Sequence, residues 1–307
     1  MENSSSVVRP KRGERRLLKS VLLNFVGKIQ EEFGFHHRNL TYIEGGLGSQ
    51  ILSVIYFYNQ QEKFGKKNAK CDLSYFSHED RAGLWEWSLN NYGIHTDELM
   101  QYESKSRFNL LKSKKDFLTE FEISQGYWQK SRAKYLSYFP VDEDQLKNFL
   151  QKVSNKSNLG AYGAIHIRRG DYLQVASKVI ELDEYIDFIE CIRSSLPSIS
   201  FVITDSPLMH EEKLLLAKSI GTDRGVIFLD GPGYDPFILH CLMRRAHLLV
   251  TSNSTFSFSA GLLGEEGQIV FSPLEYHAGK GSEKYNRTFR SVGTFISWDL
   301  DSPRDTI

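Results

Sequence analysis

The second half of the chain alternates regularly between two kinds of segment. Strand candidates, short and apolar, lie near 161–167, 199–204, 225–230, 246–251 and 268–271, and helix candidates near 181–195, 207–220, 234–245 and 254–264. Alternating strands and helices form a parallel sheet with right-handed crossovers. We therefore predict an α/β fold with a Rossmann-like domain over residues 159–290.

Charged residues follow directly after the first of these strands. Arg168, Arg169 and Asp171 end the apolar run, and Gly170 allows the backbone to turn sharply. In open α/β sheets, ligands bind outside the carboxyl ends of the strands, so two adjacent arginines there indicate an anionic ligand. The alternative is a solvated arginine pair, with His166 as an ordinary core histidine. Because successive strand residues point to opposite sides, we expect the two arginines to point apart.

A glycine-rich loop follows a short strand nearer the start of the chain. The strand candidate covers 41–44, the loop contains Gly45, Gly46 and Gly48, and 49–64 is predicted to be a helix. This layout is typical of a site that cradles an anion. A tight turn would need the same glycines, so the loop alone leaves both interpretations open.

Two further strand ends carry polar side chains. Ser252, Asn253, Ser254 and Thr255 lie where a strand runs into a helix, whose N-terminal N–H groups and dipole favour a phosphate. The same residue types are also common helix N-caps. Asp205 ends the strand near 199–204, where its two oxygens could accept from adjacent N–H donors or cap the helix that follows.

Three motifs in these stretches resemble those of glycosyltransferase family 11, the bacterial-type α-1,2-fucosyltransferases. The family signature H-x-R-R-x-D matches at His166, Arg168, Arg169 and Asp171. A second signature, G-G-L-G-N-Q, matches residues 45–50 except that Ser49 replaces the asparagine, and a third, S-N-S-T-F-S, matches residues 252–257. The resemblance covers about residues 41–290.

This resemblance implies a two-domain GT-B glycosyltransferase that transfers L-fucose from GDP-fucose with inversion, to O2 of a galactose-ended glycan acceptor. Such an enzyme would serve carbohydrate biosynthesis, for example that of the lipopolysaccharide O-antigen. The implied catalytic residues are Arg168, Arg169 and Asp171. The implied donor-binding residues are His166, Asp205, Ser252, Asn253, Ser254, Thr255, Gly45, Gly46, Gly48 and Gln50.

Each of the implied roles has an alternative. Arg168 would clamp the phosphate bidentately, while Arg169 would assist it or brace the loop. Asp171 would orient Arg168 or act as the base toward the acceptor hydroxyl. In relatives, the carboxylate at the position of Asp205 reads the guanine edge.

No metal cofactor is expected. Two D-x-D patterns occur, Asp142-Glu-Asp144 and Asp299-Leu-Asp301. The first lies where acidic residues belong in the first turn of a helix, and the second lies in the tail. In this interpretation arginines take the place of a metal.

Net charge and composition limit the binding partners, the structural class and the cellular location that we expect for the chain. The formal net charge is zero, which argues against a nucleic-acid partner, and three widely spaced cysteines suggest neither a disulfide framework nor a zinc cluster. Lacking an apolar run of about 18–20 residues or an evident signal peptide, the chain is expected in the cytoplasm. The inner face of the cytoplasmic membrane is the alternative location.

Residues 1–40 are predicted to be a separate N-terminal extension. Eight Lys and Arg against four Glu give them a charge of +4, and apolar residues recur at helical spacing from Leu17 to Ile29. This basic amphipathic helix would contact an anionic membrane peripherally or pack on its own domain. We place an N-terminal α/β acceptor-side domain at 41–158 and a C-terminal tail at 291–307.

Three rival functions are weighed. The H-x-R-R-x-D signature also occurs in fucosyltransferases of α-1,6 and protein O-fucosyl type. A non-catalytic GDP-sugar-binding protein would keep the same binding residues. An adhesion module is suggested only by the tripeptide Arg169-Gly170-Asp171, which follows a buried strand and so lacks the protruding loop that adhesion requires.

Overall fold

The computed structural model describes residues 40–77, 86–99, 133–156, 159–170, 180–273 and 295–298. The predicted basic helix, most of the tail and Asp171 lie outside these residues. In the described part of the chain, no helix is long and apolar enough to cross a membrane.

The N-terminal part forms a small α/β unit. Strand β1 (Leu40–Tyr42) leads into helix α1 (Leu47–Phe64), and β2 (Lys70–Asp72) pairs with β1 in parallel. A one-turn helix α2 (Ser74–Ser77), two 3-10 turns (Leu89–Tyr92 and Thr96–Glu98), α3 (133–138) and α4 (Glu143–Ser154) follow. The strand, glycine loop and helix predicted near 41–64 are thereby confirmed.

The C-terminal part is a six-stranded parallel sheet. Its strands are β3 (Gly163–Ile167), β4 (Ile199–Thr204), β5 (Gly225–Asp230), β6 (Leu248–Val250), β7 (Ile269–Pro273) and β8 (Phe295–Trp298). The connecting helices are α5 (Leu182–Ile192), α6 (His210–Ile220), α7 (Pro236–Arg245) and α8 (Thr255–Leu262). The mixed α/β prediction and its strand and helix positions are confirmed, whereas β8 was not predicted.

The strand order fixes where a ligand can bind. The order across the sheet is β5-β4-β3-β6-β7-β8, and Ile165 of β3 lies opposite Val202 of β4 and Val250 of β6. The chain therefore winds outward in one direction from β3 and in the other from β6. Open α/β sheets bind ligands at such a switch point, outside the carboxyl ends of the strands.

The two faces of the sheet have separate cores. Helices α5 and α6 cover one face through apolar residues such as Phe188 and Leu216. The other face is covered by α1, α7 and α8, and one continuous cluster joins Leu52 of α1 to Leu249 of β6. The N-terminal unit therefore shares a hydrophobic core with the sheet and its helices, and α1 packs against α8. The domain boundaries and the two-domain GT-B arrangement stay predictions.

Candidate functional site

The loop after β3 is held by a carboxylate from the neighbouring strand. Arg168 Nη1 lies 2.6 Å from Asp205 Oδ2, and the Arg169 backbone N–H donates to Asp205 Oδ1 at 2.9 Å. The Arg168 side chain is only 14% exposed, so its guanidinium is fixed rather than solvated. Asp205 therefore forms an ion pair with the Arg168 guanidinium and accepts a hydrogen bond from the Arg169 backbone.

Gly170 completes this arrangement for steric reasons. Its φ of 25° lies in the region that favours glycine, and its N–H donates to Ser206 Oγ at 3.0 Å. A Cβ at this position would overlap Asp205 Oδ2. The loop can therefore lie against the carboxylate only because residue 170 has no side chain.

Arg169 points to a different carboxylate. Its Nη1 lies 2.7 Å from Glu212 Oε1 on the first turn of α6, and Glu212 Oε2 accepts from the Met209 N–H at 2.8 Å. Burial raises the pKa of Glu212, but the hydrogen bonds from Met209 and Arg169 outweigh it and lower that pKa overall. The expectation that the two arginines point apart is confirmed, and the partner of Arg169 favours the bracing role.

His166 is a buried histidine beneath the loop. It is 2% exposed, its Nδ1 lies 2.9 Å from Ser252 Oγ, and its ring stands 5.5 Å from that of Phe256. Burial, and secondly the charge of Arg168, lower its pKa from 6.5 to about 3, so it is neutral. His166 joins the end of β3 to the loop after β6, as the core interpretation expected.

The Ser252–Thr255 segment shapes the start of α8. Ser254 is the N-cap, because its Oγ accepts from the Phe256 N–H at 3.3 Å, while Ser252 Oγ accepts from the Ser254 N–H at 3.2 Å. Asn253 is 4% exposed within this turn. The interpretation of Ser254 as an ordinary cap is confirmed, and a phosphate contact by the segment stays a prediction.

The first turn of α1, which contains Gly48, contacts the first turn of α8. Gly46 precedes α1 and has no side chain with which to cap it, and Gly48 lies so close to the backbone of Thr255 and Phe256 that a Cβ would overlap both. Ser49 Oγ and Thr255 Oγ1 lie 3.0 Å apart. Neither of these two fully described helices has an acidic residue in its first turn.

Gln50 is bound entirely within the protein. It is fully buried, donates through Nε2 to Gly45 O and Glu86 O at 2.8 Å each, and accepts from the Ser88 N–H at 2.8 Å. It therefore fixes the glycine loop against residues 86–88. A part for Gln50 in donor binding stays a prediction.

Two features of the site were not predicted. One is Glu212, which pairs with Arg169, although its position three residues after Met209 matches the spacing of a capping box. The other is the role of Asp205. The alternative that Asp205 caps the following helix is wrong, because α6 begins only at His210 and Glu212 accepts from its N-cap N–H.

The two D-x-D patterns lie in different parts of the chain, and the structure describes only the first. Asp142 is the N-cap of α4, accepting from the Gln145 backbone N–H at 2.9 Å, as expected for a helix start. Residues 299–301 lie outside the described part of the chain. Among described residues, no group of three or more His, Cys, Asp or Glu is arranged to hold a metal ion. Metal independence itself stays a prediction.

A family model described as glycosyl transferase family 11 matches residues 88–292. The match includes the Arg168–Gly170 loop, Asp205 and Ser252–Thr255, whereas the glycine loop at 45–48 precedes it. No curated protein matches the chain significantly.

Proposed function

Since the chain belongs to glycosyl transferase family 11, the fucosyltransferase family, we propose that it transfers L-fucose from GDP-fucose to a glycan hydroxyl with inversion. O2 of a galactose is the acceptor atom that we propose. The family indicates a nucleotide-sugar donor and a glycan acceptor. The donor, the stereochemistry, the linkage and a two-domain GT-B architecture are parts of the proposal.

One observation supports a diphosphate-bearing donor above the others. At the switch point of the sheet, the loop after β3 carries a fixed guanidinium, and His166 at the end of β3 contacts Ser252 in the loop after β6, from which α8 starts. The N-terminal turns of α1 and α8 meet where that loop enters α8, and neither first turn contains a carboxylate. Helix N-termini and an arginine all favour negative charge, so the arrangement suits an anion with several oxygens.

The chemistry of the transfer explains why a fixed arginine matters. As the bond from fucose to the β-phosphate breaks, negative charge grows on the departing GDP. A hydrogen-bonding cation that already points toward that charge stabilises the transition state more than the ground state. Asp205 holds the Arg168 guanidinium in place before the donor arrives, and we propose that Arg168 supplies this stabilisation.

The remaining residues take supporting roles in the proposal. Arg169 braces the loop through Glu212. Each carboxylate oxygen has two lone pairs, so Asp205 can read a guanine edge while it accepts from the loop. We propose that Asp171 orients Arg168. His166 acts on the donor by fixing Ser252.

The test is direct synthesis. The purified full chain is incubated with GDP-fucose and a panel of galactosides, and the product linkage and anomeric configuration are determined by NMR. We expect an α-1,2-linked product. A product of another linkage would support the α-1,6 or protein O-fucosyl alternative, and GDP-fucose binding without turnover would support the non-catalytic alternative.

Metal dependence is tested in the same assay. Because arginines take the place of a metal in this proposal, EDTA should leave the initial rate unchanged. A rate that EDTA abolishes and Mg²⁺ or Mn²⁺ restores would contradict that proposal.

A further inference from the structure

Glu212 lies outside the three sequence motifs, yet its side chain reaches the arginine loop. Only 12% of the side chain is exposed, and both of its oxygens are engaged, Oε1 by Arg169 and Oε2 by the N–H of Met209. The preceding glutamate, Glu211, is exposed on the same helical turn. The two neighbours therefore differ in their contact with the loop.

The setting of Glu212 stabilises its negative charge. The residue belongs to the first turn of α6, where the helix dipole favours an anion, and it faces a guanidinium at 2.7 Å. The Arg169 side chain is 24% exposed, so this pair is shielded more than a surface ion pair. Removing the carboxylate would leave a poorly solvated guanidinium in need of another partner.

Among the described residues, a second carboxylate also lies close to Arg169, and it is already occupied. Asp205 accepts from the backbone N–H of Arg169 at 2.9 Å, so its carboxylate lies beside that residue. The same carboxylate holds Arg168 Nη1 at 2.6 Å. An Arg169 side chain released from Glu212 would compete with Arg168 for Asp205.

We propose that Glu212 is a positioning residue, which holds Arg169 on α6 and thereby reserves Asp205 for Arg168. The inference rests on the proposed function, because it assigns Arg168 to the transfer reaction. The proposal predicts a specific result for the double variant Arg169→Ala/Glu212→Ala. If the harm in a Glu212 variant comes from a misplaced Arg169 side chain, removing that side chain should repair it.

Four proteins test this proposal: Glu212→Ala, Arg169→Ala, the double variant Arg169→Ala/Glu212→Ala, and Glu211→Ala as the matched control. The measured quantities are kcat and KM for GDP-fucose, and the melting temperature followed by circular dichroism. We expect Glu212→Ala to lower kcat by about 10- to 100-fold, as expected when a reacting group is misplaced by about 1 Å. We expect Glu211→Ala to stay within about twofold of the unmodified protein, in keeping with an exposed side chain.

The double variant decides between positioning and a purely structural role. If Glu212 acts through Arg169, the double variant should turn over faster than Glu212→Ala and match Arg169→Ala. If Glu212 serves only to cap α6, its loss lowers the melting temperature and leaves kcat unchanged in both backgrounds. A double variant no faster than Glu212→Ala would also overturn the proposal.

Two further measurements keep the outcomes apart. Glu212→Gln, which retains one acceptor oxygen, replaces the alanine variant if that variant does not fold, with the same rescue expected. Absence of turnover in the unmodified protein would reject the proposed function itself. An active unmodified protein with an unaffected, folded Glu212 variant would reject only the role of Glu212.

Discussion

Arg168 and Arg169 are adjacent in sequence but are bound by carboxylates on different elements. Asp205 follows β4 and takes Arg168, whereas Glu212 belongs to α6 and takes Arg169. The divergence begins directly after β3, and it matches the alternation of side chains between the two faces of an extended chain. The two arginines should therefore respond differently to the same substitution.

Lysine in place of each arginine measures that difference. Arg168→Lys keeps the charge but loses the guanidinium fork, so we expect kcat at saturating GDP-fucose to fall by about 10²- to 10³-fold. Arg169→Lys should be milder, because its partner Glu212 can still pair with an ammonium group. Circular dichroism controls for folding. Near-normal turnover by Arg168→Lys together with an inactive Arg169→Lys would reverse the assignment.

His166 should make stability depend on acid pH. Its folded-state pKa, about 3, lies below its ordinary value of 6.5, so the unfolded chain binds the proton more readily. Its contribution is therefore complete above about pH 6.5 and is lost as the pH falls toward 3, by up to about 1.4 kcal/mol per pH unit.

Urea unfolding at pH 4, 5 and 6 checks this expectation. His166→Gln cannot titrate, so its free energy of unfolding should fall less steeply with acid than that of the unmodified protein. His240, also buried with a lowered pKa, remains in both proteins and keeps some slope in each. Parallel slopes in the two proteins would show that His166 is not held neutral.

At the scale of elements, the first turns of α1 and α8 approach each other closely at Gly48. Gly48 allows this approach, because a Cβ would overlap the backbone of Thr255 and Phe256. Backbone atoms cannot move aside as a flexible side chain can. The glycine loop and the loop after β6 are therefore coupled sterically.

Gly48→Ala tests this coupling, because helix propensity and the steric contact predict opposite changes in stability. Alanine favours a helix over glycine by about 1 kcal/mol, so without the contact the variant would be more stable. We expect it instead to be destabilised by about 1–3 kcal/mol, as for other overpacked sites, and to bind GDP more weakly. Chemical denaturation and calorimetry measure the two effects. Gly160→Ala, where a Cβ meets nothing within 4 Å, is the matched control.

The positions of the helices and strands were predictable from the sequence. The contacts between residues far apart in the sequence were not. Apolar runs predicted β3 to β7, because the strands of a parallel sheet with helices on both faces are rich in apolar residues. Nothing local shows that Gln50 binds residues 86–88 or that Glu212 binds Arg169. These contacts depend on three-dimensional neighbours far apart in sequence. Strand β8 was missed because a four-residue run in the tail has little periodicity to detect.

At the scale of the whole molecule, the charge of the chain is unevenly distributed. Residues 1–40 carry +4 while the complete chain is neutral. If the predicted basic helix is a surface anchor, deleting residues 1–30 should weaken binding to vesicles that contain anionic lipid and spare turnover of a soluble acceptor. Vesicle sedimentation measures the binding, and neutral vesicles serve as the control. Unchanged sedimentation would make the segment a packing element.

The strand order has a further consequence for how the molecule opens. Strand β3 has a hydrogen-bonded strand on each side, whereas β1 pairs with β2 in a sheet of two strands within the described structure. Amide hydrogen exchange should therefore be slower in β3 than in β1, since local opening is easiest where fewest strands must separate. Mass-spectrometric exchange would measure both, and equal protection would refute the difference. If the chain binds GDP-fucose as proposed, opening of the glycine loop would release GDP while the strand that precedes the arginines stays closed.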